Sequence, residues 1–206
     1  MENSLSDLMT RSPAMAILRN FPPATAVQLA QRAWDVGIEL VEVPIQTPDA
    51  VPSLEAVIRA GNERGKPVGA GTITTKEQLR LSHRLGVAFT VSPGLSRGVV
   101  ELCTDLGVPH LPGVSSASEI QKAIRLGCTW LKAFPANVLG PDWFVAMKRG
   151  PFPGVSFVAT GGVDVRNATD FLDAGATAVG VGSALMDEAQ IDLLAELIRL
   201  RSVRAE

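Results

Sequence analysis

The sequence predicts a closed parallel (β/α)8 barrel, a TIM barrel, built as one domain over residues 1–206 with a short helix ahead of its first strand. Three observations carry that reading. Short apolar runs alternate with helix-patterned stretches through eight strand–helix units, and no change of composition marks a domain boundary. Many of the helices stop at a glycine before the next strand, and Gly86, Gly107 and Gly127 recur at a spacing of about twenty residues, the length of one unit. Polar and glycine-rich residues collect just past several strands, where a barrel places its ligands. An open doubly wound sheet shares the alternation, but no Gly-x-Gly-x-x-Gly fingerprint follows the first strand.

Residues 4–11 read as the leading helix, and Pro13 to Leu18 as an apolar strand ending at Arg19. Helical spacing of Val27, Ala30 and Trp34 predicts a helix over 25–35, stopped by Gly37. Ile38 to Val43 is a strand that should end before Pro44, which has no N–H for a ladder. A helix from Pro48 to Ala60 precedes Gly61 and Gly65, and a strand over 67–70 runs into Gly71 and Thr72. Helix 75–85 and strand 87–91 follow, then helix 96–106 and strand 108–111. Ser115 or Ser116 can cap the next helix, with Glu119 in its first turn. The remaining expectations are strand 129–134, a helix near 142–148, strand 155–159, helix 164–173, strand 178–181 and an amphipathic helix over 191–201.

With 46% hydrophobic and 19% charged residues and a net charge of -2, the chain has no electrostatic footprint for nucleic acid. The N-terminus is polar at Glu2, Asn3 and Ser4, which predicts neither a signal peptide nor a membrane span and hence a cytoplasmic protein. Cys103 and Cys128 lie far apart without metal-ligand spacing and read as two buried thiols. His83 in a helical run and His110 in an apolar strand read as a surface and a core histidine.

One residue contradicts its surroundings. Lys132 sits in Trp130-Leu131-Lys132-Ala133-Phe134-Pro135, an apolar run with the look of a buried strand. Removing an ammonium from water costs several kcal/mol or forces the amine neutral, and a neutral amine can attack a carbonyl carbon to form a Schiff base. The alternative is a lysine at a strand end that extends its charge into water. Strand alternation puts Lys132 on one side with Trp130 and Phe134, and it places Glu42 opposite Val41 and Val43, pointing inward. Each charge could offset much of the other's desolvation, and a carboxylate beside the amine could move protons; a structural ion pair of Glu42 with Arg19 or Lys132 is the competing reading. Thr72, after Gly69-Ala70-Gly71, would reach the mouth and could hold a substrate carboxylate. Thr160-Gly161-Gly162 and Gly180-Val181-Gly182-Ser183 close the seventh and eighth strands, where many barrels bind phosphate through exposed N–H groups.

Taken together, Glu42 in VEVPIQTP, Val68 to Thr72 in VGAGT, Val91 to Gly94 in VSPG, Lys132 in LKAFPA and Thr160 to Gly162 in TGG resemble the 2-keto-3-deoxy-6-phosphogluconate aldolase family. That family includes 4-hydroxy-2-oxoglutarate aldolases, and the resemblance runs from about Ala14 to Met186 with the motifs in order. It implies that Lys132 is the Schiff-base lysine and Glu42 the proton shuttle. It also implies that Thr72 lies beside the pyruvate carboxylate, that Arg19 is an active-site arginine, and that Pro93 and Phe134 line the pocket. Thr160, Gly161, Gly162 and Ser183 match the substrate-hydroxyl and phosphate region. The implied enzyme is a metal-free homotrimer with no cofactor beyond a covalent imine on Lys132, acting on pyruvate and a sugar acid phosphate. Gln46 departs from the pattern: many members carry an arginine there that helps hold the substrate carboxylate, and glutamine cannot make that bidentate, charged contact. The departure leaves 2-keto-3-deoxy-6-phosphogalactonate and 4-hydroxy-2-oxoglutarate as alternative substrates, whereas Thr160 resembles the gluconate-type members. Outside aldolase chemistry, a phosphosugar isomerase or epimerase using Glu42, and a non-catalytic sugar-phosphate binding protein, are the rival readings.

Overall fold

A computed structural model describes residues 5–9 and 12–203. The strands are β1 Ala14–Ile17, β2 Leu40–Pro44, β3 Val68–Gly71, β4 Phe89–Val91, β5 His110–Leu111, β6 Gly113–Val114, β7 Trp130–Ala133, β8 Ser156–Thr160 and β9 Ala178–Val181. Their hydrogen-bonded order is β5-β4-β3-β2-β1-β9-β8-β7-β6, with each neighbouring pair parallel. The two ends of that order are one continuous piece of chain on either side of Pro112. β5 pairs with β4 and β6 with β7, so the segment passes from one neighbour to the other and closes a ring of eight strand positions. Pro112 lacks a donor, but its carbonyl accepts from Lys132 N at 2.9 Å across the closure. The expected barrel is the observed one.

The helices are α1 Leu5–Met9, α2 Pro23–Asp35, α3 Val51–Arg64, α4 Lys76–Arg84, α5 Arg97–Asp105, α6 Ala117–Arg125, α7 Ala136–Leu139, α8 Pro141–Arg149, α9 Ala168–Asp173 and α10 Glu188–Val203, with short 3-10 turns at Pro48–Ala50 and Ser183–Met186. Alternation along the strands divides the apolar side chains into two cores. Val41, Val43, Leu131, Ala133, Phe157 and Val179 face the helices in the larger one. Met15, Leu40, Phe89, Trp130, Val158 and Ala178 fill the barrel interior near the strands' N-terminal ends, and Leu8 and Met9 of α1 pack onto them, sealing that end. α4 and α6 begin with capping boxes, Thr75 with Gln78 and Ser116 with Glu119; Ser116, not Ser115, is the cap.

Four local expectations are corrected. β2 includes Pro44, in register with Gly71, because the neighbouring Ile45 N makes the bond to Gly71 O at 2.9 Å while the position of Pro44's missing N–H faces β1 beyond its last residue. α3 runs through Gly61 and ends at Gly65, whose φ of 64° is the left-handed C-terminal stop. Gly61 is instead a packing glycine in the helix, against Val68. An additional helix, α7, follows β7 directly. The helix expected from Asp164 begins at Ala168, after a turn in which Asn167 Oδ1 accepts from Asp164 N and Asn167 Nδ2 donates to Gly162 O.

Because Leu8 is fully buried in the barrel seal, Leu8→Ala should cost about 2–5 kcal/mol of stability. Denaturant unfolding measures that loss, and an unchanged midpoint would show that α1 does not seal the barrel.

Candidate active site

The open end of the barrel is built from strand residues one layer above the apolar seal. Lys132 follows Trp130 by one step on the same face of β7 and is 3% exposed; its Nζ lies 5.0 Å from the centroid of the Phe134 ring. Glu42, on β2, is 0% exposed, and neither carboxylate oxygen has a hydrogen-bond partner. Lys132 and Arg19 act on Glu42 through their charge, without a hydrogen bond to its carboxylate. Space for that carboxylate comes from Gly71, where a Cβ would lie 1.5 Å from Glu42 Oε1.

Burial and charge act on the pair in opposite directions. Burial raises Glu42 above the usual carboxylate range, and the Lys132 ammonium and then the Arg19 guanidinium pull it back. Burial lowers Lys132, Glu42 opposes that shift, and Arg19 reinforces it. Desolvation leads in both groups, so both are pushed toward their neutral forms. A neutral amine is a nucleophile, and a carboxyl group with a raised pKa is a better proton acceptor when ionised and holds its proton to higher pH.

Lys132 opens onto a cavity of about 640 Å3, whose walls include Arg19, Phe21, Phe134, Thr160, Gly161 and Gly162. Thr160 is 1% exposed, and its hydroxyl has no partner. It stands one step beyond Val158, the β8 residue in register with Lys132. Gly161 and Gly162 both have positive φ, 91° and 72°, and a Cβ on Gly162 would come within 2.5 Å of Asn137 Cγ. The loop can take this path beside α7 only with glycine.

The predicted residues thus separate into groups. Arg19, Lys132, Phe134, Thr160, Gly161 and Gly162 share one cavity, and Gly180 and Gly182 join them. Glu42, fully buried, does not line it, nor do Thr72 and Pro93. Ser183 begins a 3-10 turn after β9, and its side chain lies outside the described residues. Phe21 and Asp164 line the cavity without having been singled out in the sequence. Asp164 follows the Thr-Gly-Gly run by two residues, which was the available signal, and it is paired with Arg166 Nε at 3.0 Å.

Among the described residues no group of three or more His, Cys, Asp or Glu could hold a metal ion, and no helix is long and apolar enough to cross a membrane. His83 is exposed. His110 is buried, with its Nδ1 2.9 Å from Thr90 Oγ1, and burial lowers its pKa to about 4. Both cysteines are free; burial raises Cys103 to about 11, and Cys128 is only partly buried.

The profile of the KDPG and KHG aldolase family matches residues 5–198. This chain belongs to that family. The 2-dehydro-3-deoxy-6-phosphogalactonate aldolase of Escherichia coli (strain K12) is 31% identical over 176 residues, 85% of each chain. The 2-dehydro-3-deoxy-phosphogluconate aldolase of Treponema pallidum (strain Nichols) is 35% identical over 147 residues, 71% of this chain and 69% of that one. Among solved structures, the KDPG aldolase of Legionella pneumophila, with pyruvate captured at low pH as a covalent carbinolamine intermediate, superposes with a TM-score of 0.80 at 30% identity, covering 93% of this chain and 95% of that one. The protein is a KDPG/KHG-family aldolase, a lyase, which removes the isomerase and binding-protein readings.

The opposed electrostatic effects predict opposite variant responses. Glu42→Gln removes the charge that raises Lys132, so the pH at which Lys132 is half neutral should fall; Arg19→Met removes one that lowers it, so that pH should rise. Competitive acetylation of Lys132 across pH, read by peptide mass, measures both. Shifts of the same sign in the two variants would contradict the assigned interactions.

Proposed function

We propose that this aldolase is a class I enzyme that cleaves 2-keto-3-deoxy-6-phosphogluconate to pyruvate and glyceraldehyde 3-phosphate, with Lys132 as the Schiff-base lysine. The observation that carries the reading is Lys132 itself: a nearly inaccessible amine, pushed toward its neutral form, that still opens onto the cavity.

The amine attacks the C2 ketone to give a carbinolamine, which loses water to form an iminium. Glu42, directly or through water, takes the proton of the C4 hydroxyl as the C3–C4 bond breaks. The bonding pair moves into the iminium, producing an enamine and releasing glyceraldehyde 3-phosphate. The enamine carbon then takes up a proton, and water hydrolyses the resulting pyruvyl iminium, returning pyruvate and free Lys132. The iminium is the electron sink, so this route uses no separate cofactor. Arg19 supplies fixed positive charge beside the pair, and Phe134 and Pro93 shape the pyruvate end. Thr72, although outside the walls of the open cavity, is assigned the pyruvate carboxylate, while Thr160, Gly161, Gly162 and Ser183 are assigned the substrate hydroxyls and phosphate. The working form is a cytoplasmic homotrimer, a reading that light scattering tests for assembly.

Gln46 favours a second reading of the same chemistry, on 2-keto-3-deoxy-6-phosphogalactonate or 4-hydroxy-2-oxoglutarate. Its amide nitrogen donates to Asn20 Oδ1, leaving a neutral group where many members have an arginine. Comparison of kcat/KM on the three substrates separates the readings. The gluconate epimer should lead by at least about tenfold, roughly 1.4 kcal/mol of transition-state binding; a lead for either competitor would reassign the substrate.

Covalent chemistry is tested by intact mass after incubation with pyruvate and sodium borohydride, followed by peptide mapping. One reduced pyruvyl adduct on Lys132 is expected, with none formed and turnover abolished in Lys132→Ala. Glu42→Gln should still form the imine slowly. Full activity in Lys132→Ala would sink the mechanism.

A further inference from the structure

Thr72 carries a backbone conformation that its side chain disfavours. Its φ is 59°, in the left-handed region, where a β-branched residue is a genuine outlier held by its surroundings. The bonds on either side of it do the holding. Before it, Gly71 O accepts from Ile45 N at 2.9 Å; after it, Ile73 N donates to Val91 O at 3.0 Å. The next peptide unit, Ile73–Thr74, is fixed by a side chain: Ser92 Oγ donates to Ile73 O at 2.5 Å. Ser92 is 2% exposed and Ile73 1% exposed, so water has little access to replace that bond. Farther along, Gln78 Oε1 accepts from Thr74 N at 2.8 Å and its Nε2 donates to Ile45 O at 3.0 Å. Ser92 is thus a side chain bonded to a residue directly adjacent to Thr72.

We infer that Ser92 is a positioning residue for pyruvate, acting by holding Thr72 in its left-handed conformation through the carbonyl of Ile73. The inference rests on the proposed placement of Thr72 at the pyruvate carboxylate. Without the Ser92 bond the turn can rotate Thr72 toward ordinary φ, carrying its hydroxyl and N–H away from the carboxylate, while Lys132, on β7 across the β5–β6 strand position, shares no hydrogen bond with Ser92.

The test is the pyruvate concentration that gives half-maximal borohydride trapping at Lys132. Ser92→Ala should raise it by about five- to tenfold, the weight of one hydrogen bond. Maximal adduct yield and the pH dependence of trapping should stay as in the parent protein. Ser92→Cys, close in volume and a poorer donor, should give a similar shift and serves if the alanine variant does not fold. Glycine tolerates the left-handed region, so in a Thr72→Gly background, itself weaker for pyruvate, Ser92→Ala should add less than about twofold. Parent-like half-maximal trapping in the Ser92 variants, or the same factor in both backgrounds, overturns the role of Ser92 while leaving Lys132 chemistry standing. No adduct in the parent protein at any pyruvate concentration overturns both.

Discussion

The site depends on the desolvation of two opposite ionisable groups inside one barrel. Lys132 and Glu42 are both almost fully removed from water, yet the carboxylate oxygens have no hydrogen-bond partner. A contacting, fully bonded ion pair would hold both groups charged and inert. Separation leaves each tuned by burial first and by the other's charge second, which pushes amine and carboxyl toward their neutral forms. The shifts of the lysine and of the glutamate have the same physical origin, their removal from water.

Carrying such a pair requires stability elsewhere, and the barrel divides the two tasks along its axis. The N-terminal end is a dry apolar seal of large side chains, completed by Leu8 and Met9. One layer above, small residues replace large ones: Gly71 leaves the space that Glu42 occupies, and the glycines after Thr160 let the chain pass close to α7. Backbone strain follows the same division. Thr72 and Asn20, the non-glycine residues with positive φ among the described residues, both lie just past C-terminal strand ends, on loops that the sheet holds in place.

At the mouth, charge is handled by pairing. Asp164 lines the cavity but is occupied by Arg166, so its carboxylate is not presented as free negative charge. Gln46 is tied to Asn20 through its amide nitrogen, while its carbonyl oxygen is buried without a partner. A neutral acceptor at that position treats ligand donors and ligand carboxylates differently from a guanidinium. Under the proposed function, that difference would alter discrimination among sugar acids without touching Lys132.

Alternating apolar runs and glycine stops determined a parallel sheet of strand–helix units, because each unit must bury two faces and only a closed or open parallel sheet does so for eight in succession; the closure across Pro112 belongs to the tertiary structure. An isolated lysine in an apolar strand and a glutamate out of step with two valines were legible as inward-facing because strand alternation is strict. Gly61 was misread as a stop because local signals cannot distinguish a helix-ending glycine from one that makes room for Val68 across the interface. Pro44 was misread as a strand boundary because the direction its missing donor would face depends on how far β1 extends. The absence of a bonded ion pair at Glu42, the recruitment of Phe21 and Asp164, and the left-handed Thr72 clamped from β4 were decided only by tertiary structure. Each depends on distances between strands far apart in sequence, which residue order constrains only through the packing of the completed ring.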